Sequence, residues 1–170
     1  MDFYDAVNKR KSIRSFLDRP VEEEKLHRIL NAARLAPSAR NLQEWRFIAV
    51  KDPGIRRRLI PAAAGQSFVG EAPVVIVGCA DTDEHVMRCG EKCYPIDVAI
   101  AMEHIALAAT AEGLGTCWIG AFYQDQVKIV LNIPDNIKVV ELMPIGYPAD
   151  TSDTGKTRMD LNEILRYDQW

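Results

Sequence analysis

The chain has no long apolar run, and nothing in its 170 residues approaches the roughly 20 consecutive apolar residues of a membrane-spanning helix. Nor does Met1-Asp2-Phe3-Tyr4-Asp5 supply the basic start and apolar segment of a secretory leader, so a cytoplasmic location is expected. Gly/Ser/Pro-rich linkers and internal repeats are missing too, and a hydrophobic content of 48% suffices for one ordinary core, which makes residues 1–170 a single expected domain. A formal net charge of −3 excludes a general attraction to nucleic acid or anionic membrane, so any anion site must be built locally. No Gly-x-Gly-x-x-Gly fingerprint is present, which argues against a dedicated Rossmann dinucleotide site.

The cysteines number four. Cys79 and Cys117 lie in apolar segments, whereas Cys89 and Cys93 frame a polar stretch at a spacing that zinc or an iron-sulfur cluster could use. No second pair completes such a site, and His85 adds only a Cys2His fragment. Free thiols are the better reading, and no metal is expected.

What is present is an alternation of helix and strand patterns. Asp2 caps a helix running through about Lys9, and Leu26, Ile29, Leu30 and Ala33 mark a second that stops at Pro37. Trp45 to Val50 reads as a strand, Pro53 starts a short helix, and the apolar run Pro73 to Cys79 reads as a central strand buried on both faces. From Val98 to Glu112 only Glu103, His104, Thr110 and Glu112 are polar, which predicts a helix apolar nearly all round, with Asp97 as N-cap and Gly113 as stop. So small a domain has difficulty covering such a helix alone, so a second subunit is expected on its remaining face. A strand at Thr116 to Ile119, a helix near Gln124 to Leu131, a strand from Lys138 to Ile145 and a polar loop from Pro148 to Arg158 complete the chain.

Four segments carry candidate chemistry. Arg10-Lys11-Ser12-Ile13-Arg14 places three cations and a hydroxyl directly after a helix, a set that suits a dianionic phosphate; taken alone, a solvated basic surface at a helix end is the better explanation. Pro37-Ser38-Ala39-Arg40-Asn41 exposes backbone and amide groups suited to the edge of a flat heterocycle, yet an ordinary turn has the same composition. In Gly113-Leu114-Gly115-Thr116-Cys117-Trp118-Ile119-Gly120, Gly113 is a helix stop and Gly115 a turn residue. Gly120 has no such local duty; it opens the backbone to a ligand or marks a bulge. Gly155-Lys156-Thr157-Arg158 adds two cations or a solvated loop.

In this order the segments resemble the FMN-dependent nitroreductase family: Arg-x-Ser-x-Arg at 10–14, Pro-Ser-x-x-Asn-x-Gln-x-Trp at 37–45, Ala-Pro-Val-Val-Ile-Val at 72–77, Gly-Leu-Gly-Thr-x-Trp-Ile-Gly at 113–120, and the basic pair Lys156 and Arg158. The resemblance covers nearly the whole chain. Glu44 stands where the family usually has proline, and the connections are short for it.

The resemblance implies an α+β fold with a central, mainly antiparallel or mixed sheet flanked by helices. It also implies a homodimer built around the long apolar helix, with FMN at the subunit interface. By it, Arg10, Lys11 and Ser12 bind the FMN phosphate and ribityl chain, Arg14 lies against the pyrimidine end of the isoalloxazine, and Lys156 and Arg158 serve the phosphate. Pro37, Ser38, Ala39 and Asn41 come from the other subunit, Gln66 meets the flavin edge, and Ile119 and Gly120 lie near its reactive nitrogen. The implied activity passes reducing equivalents from NADH or NADPH to a nitroaromatic, quinone or related small-molecule acceptor, the donor leaving before the acceptor takes the same surface. No nucleic acid or membrane partner is implied, and no side chain is nominated as general acid or base; His27, His85 and His104 read as structural or solvent-facing. The alternatives are a flavin-binding sensor or carrier without turnover, and a specialised reaction such as dehalogenation or flavin cleavage on the same fold.

Overall fold

The computed structural model describes residues 1–150 and 156–170. Its elements run α1 (Phe3–Lys9), α2 (Glu23–Arg34), a 3-10 turn (Ala39–Asn41), β1 (Trp45–Val50), α3 (Pro53–Ala62), α4 (Phe68–Glu71), β2 (Val74–Ala80), α5 (Cys93–Ala111), β3 (Gly115–Thr116), α6 (Gln124–Leu131), β4 (Lys138–Gly146) and α7 (Leu161–Ile164). Local chemistry accounts for several of these ends. Asp2 accepts from the Asp5 N–H at 2.8 Å to start α1, and Asp52 does the same for Ile55 at α3, whose first residue is Pro53.

The four strands pair antiparallel in the order β1-β2-β4-β3, with helices on both faces, the α+β arrangement expected. All seven residues of β2 are buried. Alternate side chains feed two cores, as strand geometry requires: Val75, Val77 and Cys79 join Leu59, Val69 and Val127 from α3, α4 and α6, whereas Val74, Ile76 and Ala80 join Ile29 and Ala33 of α2 and Met102 and Ile105 of α5.

Two expectations need correction. The strand expected over 116–119 is confined to Gly115–Thr116, because the chain leaves the ladder at Cys117 and touches β4 again only through Ile119 and Leu142. The long helix begins at Cys93 rather than near Val98, so Asp97 is not its N-cap. Pro95 falls in the first turn, where a missing N–H costs nothing, and the helix can therefore start ahead of it. Asp97 turns inward instead and is only 3% exposed. The short helices α4 and α7 had no counterpart in the sequence reading, and of the expected polar tail, residues 151–155, including Gly155, lie outside the described residues.

Helix α5 packs tightly on the sheet: a Cβ at Gly78 of β2 would lie 3.0 Å from Met102 Sδ and 3.1 Å from Val98 Cγ1. One stripe stays open. Ile96 is 43% exposed, and Phe3, Tyr4 and Val7 of α1 are exposed as well. No helix of the described residues is long and apolar enough to cross a membrane.

Candidate functional site

The loop after α1 is held by β3. Ile13 N–H donates to Thr116 O at 2.8 Å, and Ser12 bridges Thr116 in parallel register. The contact needs glycine at 115: a Cβ there would stand 2.4 Å from Ile13 Cγ1. Gly115 is therefore a contact glycine rather than the turn residue the sequence suggested. With Ile13 buried, Ser12 and Arg14 flank it on the exposed side, and Arg10, the C-cap of α1, and Lys11 are half-buried. The Cys117 thiol lies beneath this loop. Burial raises its pKa, opposed by the charge of Arg14, a hydrogen bond from Ser12 and the charge of Arg10.

The C-terminal cations join the same place. Lys156 Nζ donates to Val7 O of α1 at 2.6 Å. Its pKa is lowered by partial desolvation and by the like charges of Arg10 and Arg158, with Glu103 opposing. Arg10, Lys156 and Arg158, distant in sequence, are thus gathered into one cationic cluster. The counter-charge is slight: Arg10 Nε is 3.9 Å from Glu103 Oε1 of α5, whose other oxygen accepts from the Trp118 indole at 3.2 Å. A polyanion such as a phosphate monoester complements such a cluster.

Beyond Trp118 the surface changes character. Ile119 is buried and paired with Leu142, whereas Gly120 is exposed, and a Cβ built on it would meet nothing within 4 Å. Gln66, far off in sequence, is drawn to this segment; its Nε2 donates to Ala121 O at 3.2 Å and to Ala63 O at 3.0 Å. An open backbone edge and an amide side chain thus meet on the segment that follows β3, whose Trp118 shares Glu103 with Arg10 of the cationic cluster.

The Pro37–Asn41 segment docks elsewhere. Ala39 N–H donates to both carboxylate oxygens of Asp97 at 3.1 Å, and Ser38 Oγ accepts from Gln43 N–H at 3.0 Å. Pro37 and Asn41 are exposed, Ser38 and Ala39 half-buried. Within one chain, the segment sits at the N-terminal part of α5 while Arg10 meets that helix at Glu103.

Sequence reasoning missed three acids here. In the sequence Glu103 stands out only as one of the few polar residues of α5, and Asp97 has the residue type of a helix cap. Glu141 is a lone acid in the apolar strand Val139-Val140-Glu141-Leu142-Met143. It is 3% exposed, and neither carboxyl oxygen has a hydrogen-bond partner among the described residues; Thr116 Oγ1 is similarly placed. Burial, with the Glu103 charge nearby, pushes Glu141 up to about 9, so it is neutral at pH 7. Cys93 is buried with its thiol donating to Glu44, while Cys89 is exposed. His104 Nδ1 lies 3.1 Å from Ala32 O, tying α5 to α2.

The profile described as "Nitroreductase family" matches residues 7–67 and 62–147. A protein of Thermus thermophilus named NADH dehydrogenase is 34% identical, over 88% of this chain and 88% of that protein. The FMN reductase (NADPH) of Bacillus subtilis is 29% identical, over 87% of this chain and 66% of its own length. The crystal structure of a nitroreductase family protein from Clostridium novyi NT superposes with a TM-score of 0.84 at 41% identity, over 89% of this chain and 87% of that one.

Proposed function

This chain belongs to the nitroreductase family, and we propose that it is a single-domain FMN-dependent oxidoreductase, passing reducing equivalents from NADH or NADPH to a nitroaromatic, quinone or related conjugated acceptor. The observation that carries this reading is the convergence of Arg10 and Arg158 on Lys156, whose pKa their like charges help to lower, in a cluster that an anion would complement. The chemistry of the donor set fits FMN. The cluster matches a phosphate in charge, the Ser12 hydroxyl adds a neutral donor, and the open backbone at Gly120 leaves room for a flat ring.

When bound, FMN supplies hydride acceptance and donation. The protein's own residues do the rest. Arg10, Lys11, Ser12, Lys156 and Arg158 neutralise and orient the phosphate. Arg14 offers a charge that no accessible pH removes, suited to the pyrimidine edge, where it favours the reduced state. Gln66, fixed between Ala63 and Ala121, presents an amide to the ring edge beside Ile119 and Gly120. Donor and acceptor then share one stacking surface in turn, which requires no second nucleotide site. Because Pro37, Ser38, Ala39 and Asn41 stand apart from the cluster within one chain, we assign them to the flavin of a partner subunit in a homodimer.

The test is anaerobic. Purified, FMN-loaded protein is mixed with NADH or NADPH and then with a quinone or nitroaromatic. Bleaching of the flavin followed by recovery of its colour is expected. Retained flavin that neither donor bleaches would identify a flavin carrier instead.

A further inference from the structure

Residues 37–43 form a loop that its own packing does not hold. All are exposed or half-buried, and three non-glycine residues among them adopt left-handed backbone conformations: Arg40 at φ 53°, Asn41 at 58° and Gln43 at 51°. Each is disfavoured for an L side chain and persists only where the surroundings over-determine it. Its internal hydrogen bonds run from Asn41 N–H to Ser38 O, Leu42 N–H to Ala39 O, Gln43 N–H to Ser38 Oγ, and Gln43 Nε2 to Asn41 O and Oδ1. Two ties reach the rest of the fold: Arg46 of β1 donates to Gln43 O at 3.2 Å at the end of the loop, and in its middle the Ala39 N–H is held by both oxygens of Asp97.

Asp97 is well placed for that duty. It projects from α5, whose buried face is fixed by the sheet, and Glu44 and Cys93 enclose it, one carboxylate oxygen of each acid and the Cys93 Sγ lying within 4.8 Å of one another. The Cys93 thiol donates to Glu44 Oε2 at 3.2 Å, which satisfies the neighbouring carboxylate and leaves Asp97 to Ala39. A charged acceptor gives a stronger bond than a neutral one, and burial keeps water from competing for it.

We propose that Asp97 is a positioning residue for the cofactor site: by gripping Ala39 it keeps the strained 38–43 loop in the one shape that can face the flavin of the partner subunit. The proposal rests on the FMN reading above. Asp97 touches neither cofactor nor substrate and acts only through the loop.

Asp97→Asn keeps the size and one acceptor oxygen but removes the charge. In the dimer, FMN affinity, read from quenching of flavin fluorescence, is expected to fall at least tenfold. Hydrogen exchange at the Ala39 amide should accelerate by a similar factor while that at Ile105, deep in α5, stays unchanged. Adding Arg40→Gly, which relieves one left-handed residue, should recover a large part of the lost affinity. General weakening of the fold would instead speed exchange at Ala39 and Ile105 alike. Undiminished FMN binding by Asp97→Asn overturns the proposal, as does a loss of protection spread equally over Ala39 and Ile105, or a double variant no better than the single one. A parent protein that binds no FMN overturns the functional reading and the cofactor role with it. A parent that binds FMN beside an Asp97→Asn variant that binds it equally overturns only the role of Asp97.

Discussion

Replacing Glu141 by glutamine should change how stability depends on pH. In the fold this carboxyl titrates at about 9 against an ordinary value of 4.5, because it is buried without a partner and faces the charge of Glu103. An unfolded chain releases the proton from pH 4.5 upward while the folded chain keeps it. Each pH unit above 4.5 therefore removes about 1.4 kcal/mol of stability from the parent, until the folded group itself ionises near pH 9. Between pH 4.5 and 7 the loss amounts to about 3 kcal/mol, large beside a typical total of 5–15 kcal/mol. Glutamine cannot ionise, so the variant escapes this loss. The amide brings its own cost, since its N–H donors also lack partners, but that cost is the same at both pH values and cancels in the difference. Denaturant unfolding of the two flavin-free proteins at pH 4.5, 5.5 and 7 measures it directly. The gap should move by about 3 kcal/mol in favour of Glu141→Gln over that range, equivalent to roughly 2–4 °C in Tm per kcal/mol. Parallel pH profiles would refute the reasoning and mean that Glu141 is ionised in the fold.

Four further outcomes test the site. Arg10→Ala should weaken FMN binding by about 1.5–3 kcal/mol through loss of a charge-assisted phosphate contact, whereas Glu103→Gln, which removes the carboxylate 3.9 Å from Arg10, should tighten it; equilibrium dialysis reads both. Arg14→Gln should lower the reduction potential of the bound flavin by some tens of millivolts, at about 30 mV for each 1.4 kcal/mol, and an unchanged or raised potential would remove Arg14 from the ring. Sedimentation should find a dimer that Ile96→Glu dissociates, since Ile96 leaves apolar surface open on α5; a monomer with full flavin occupancy would contradict the interface.

How much could be read from the sequence depends on where the cause of each feature lies. β1 and α6 fall on the expected residues, and β2 is buried throughout, because unbroken apolar runs and helical spacing are local signals with flanking breakers. The start of α5 was obscured because Cys93-Tyr94-Pro95-Ile96 looks like a proline-bearing lead-in, while Asp97 has the residue type of a cap. Its real partner, Ala39, is on another element, and no window of sequence contains both. Gly115 shows the same limit. The sequence marks a glycine that reads as a turn; the demand for glycine comes from Ile13, whose side chain fills the space a Cβ would need. Only the order of several motifs along the chain points to a candidate site, since the 10–14 and 37–45 segments taken alone are better explained by a solvated surface and a turn, and Gly120 by itself leaves a bulge open. The acids have no such help. Glu103 and Glu141 are ordinary helix and strand residues by pattern, and what distinguishes them is a charge network assembled from α1, α5, β4 and the C-terminal tail. Family resemblance supplies a cofactor and a frame, whereas a buried carboxyl near Glu103 and a carboxylate gripping a strained loop become visible only when the chain is folded.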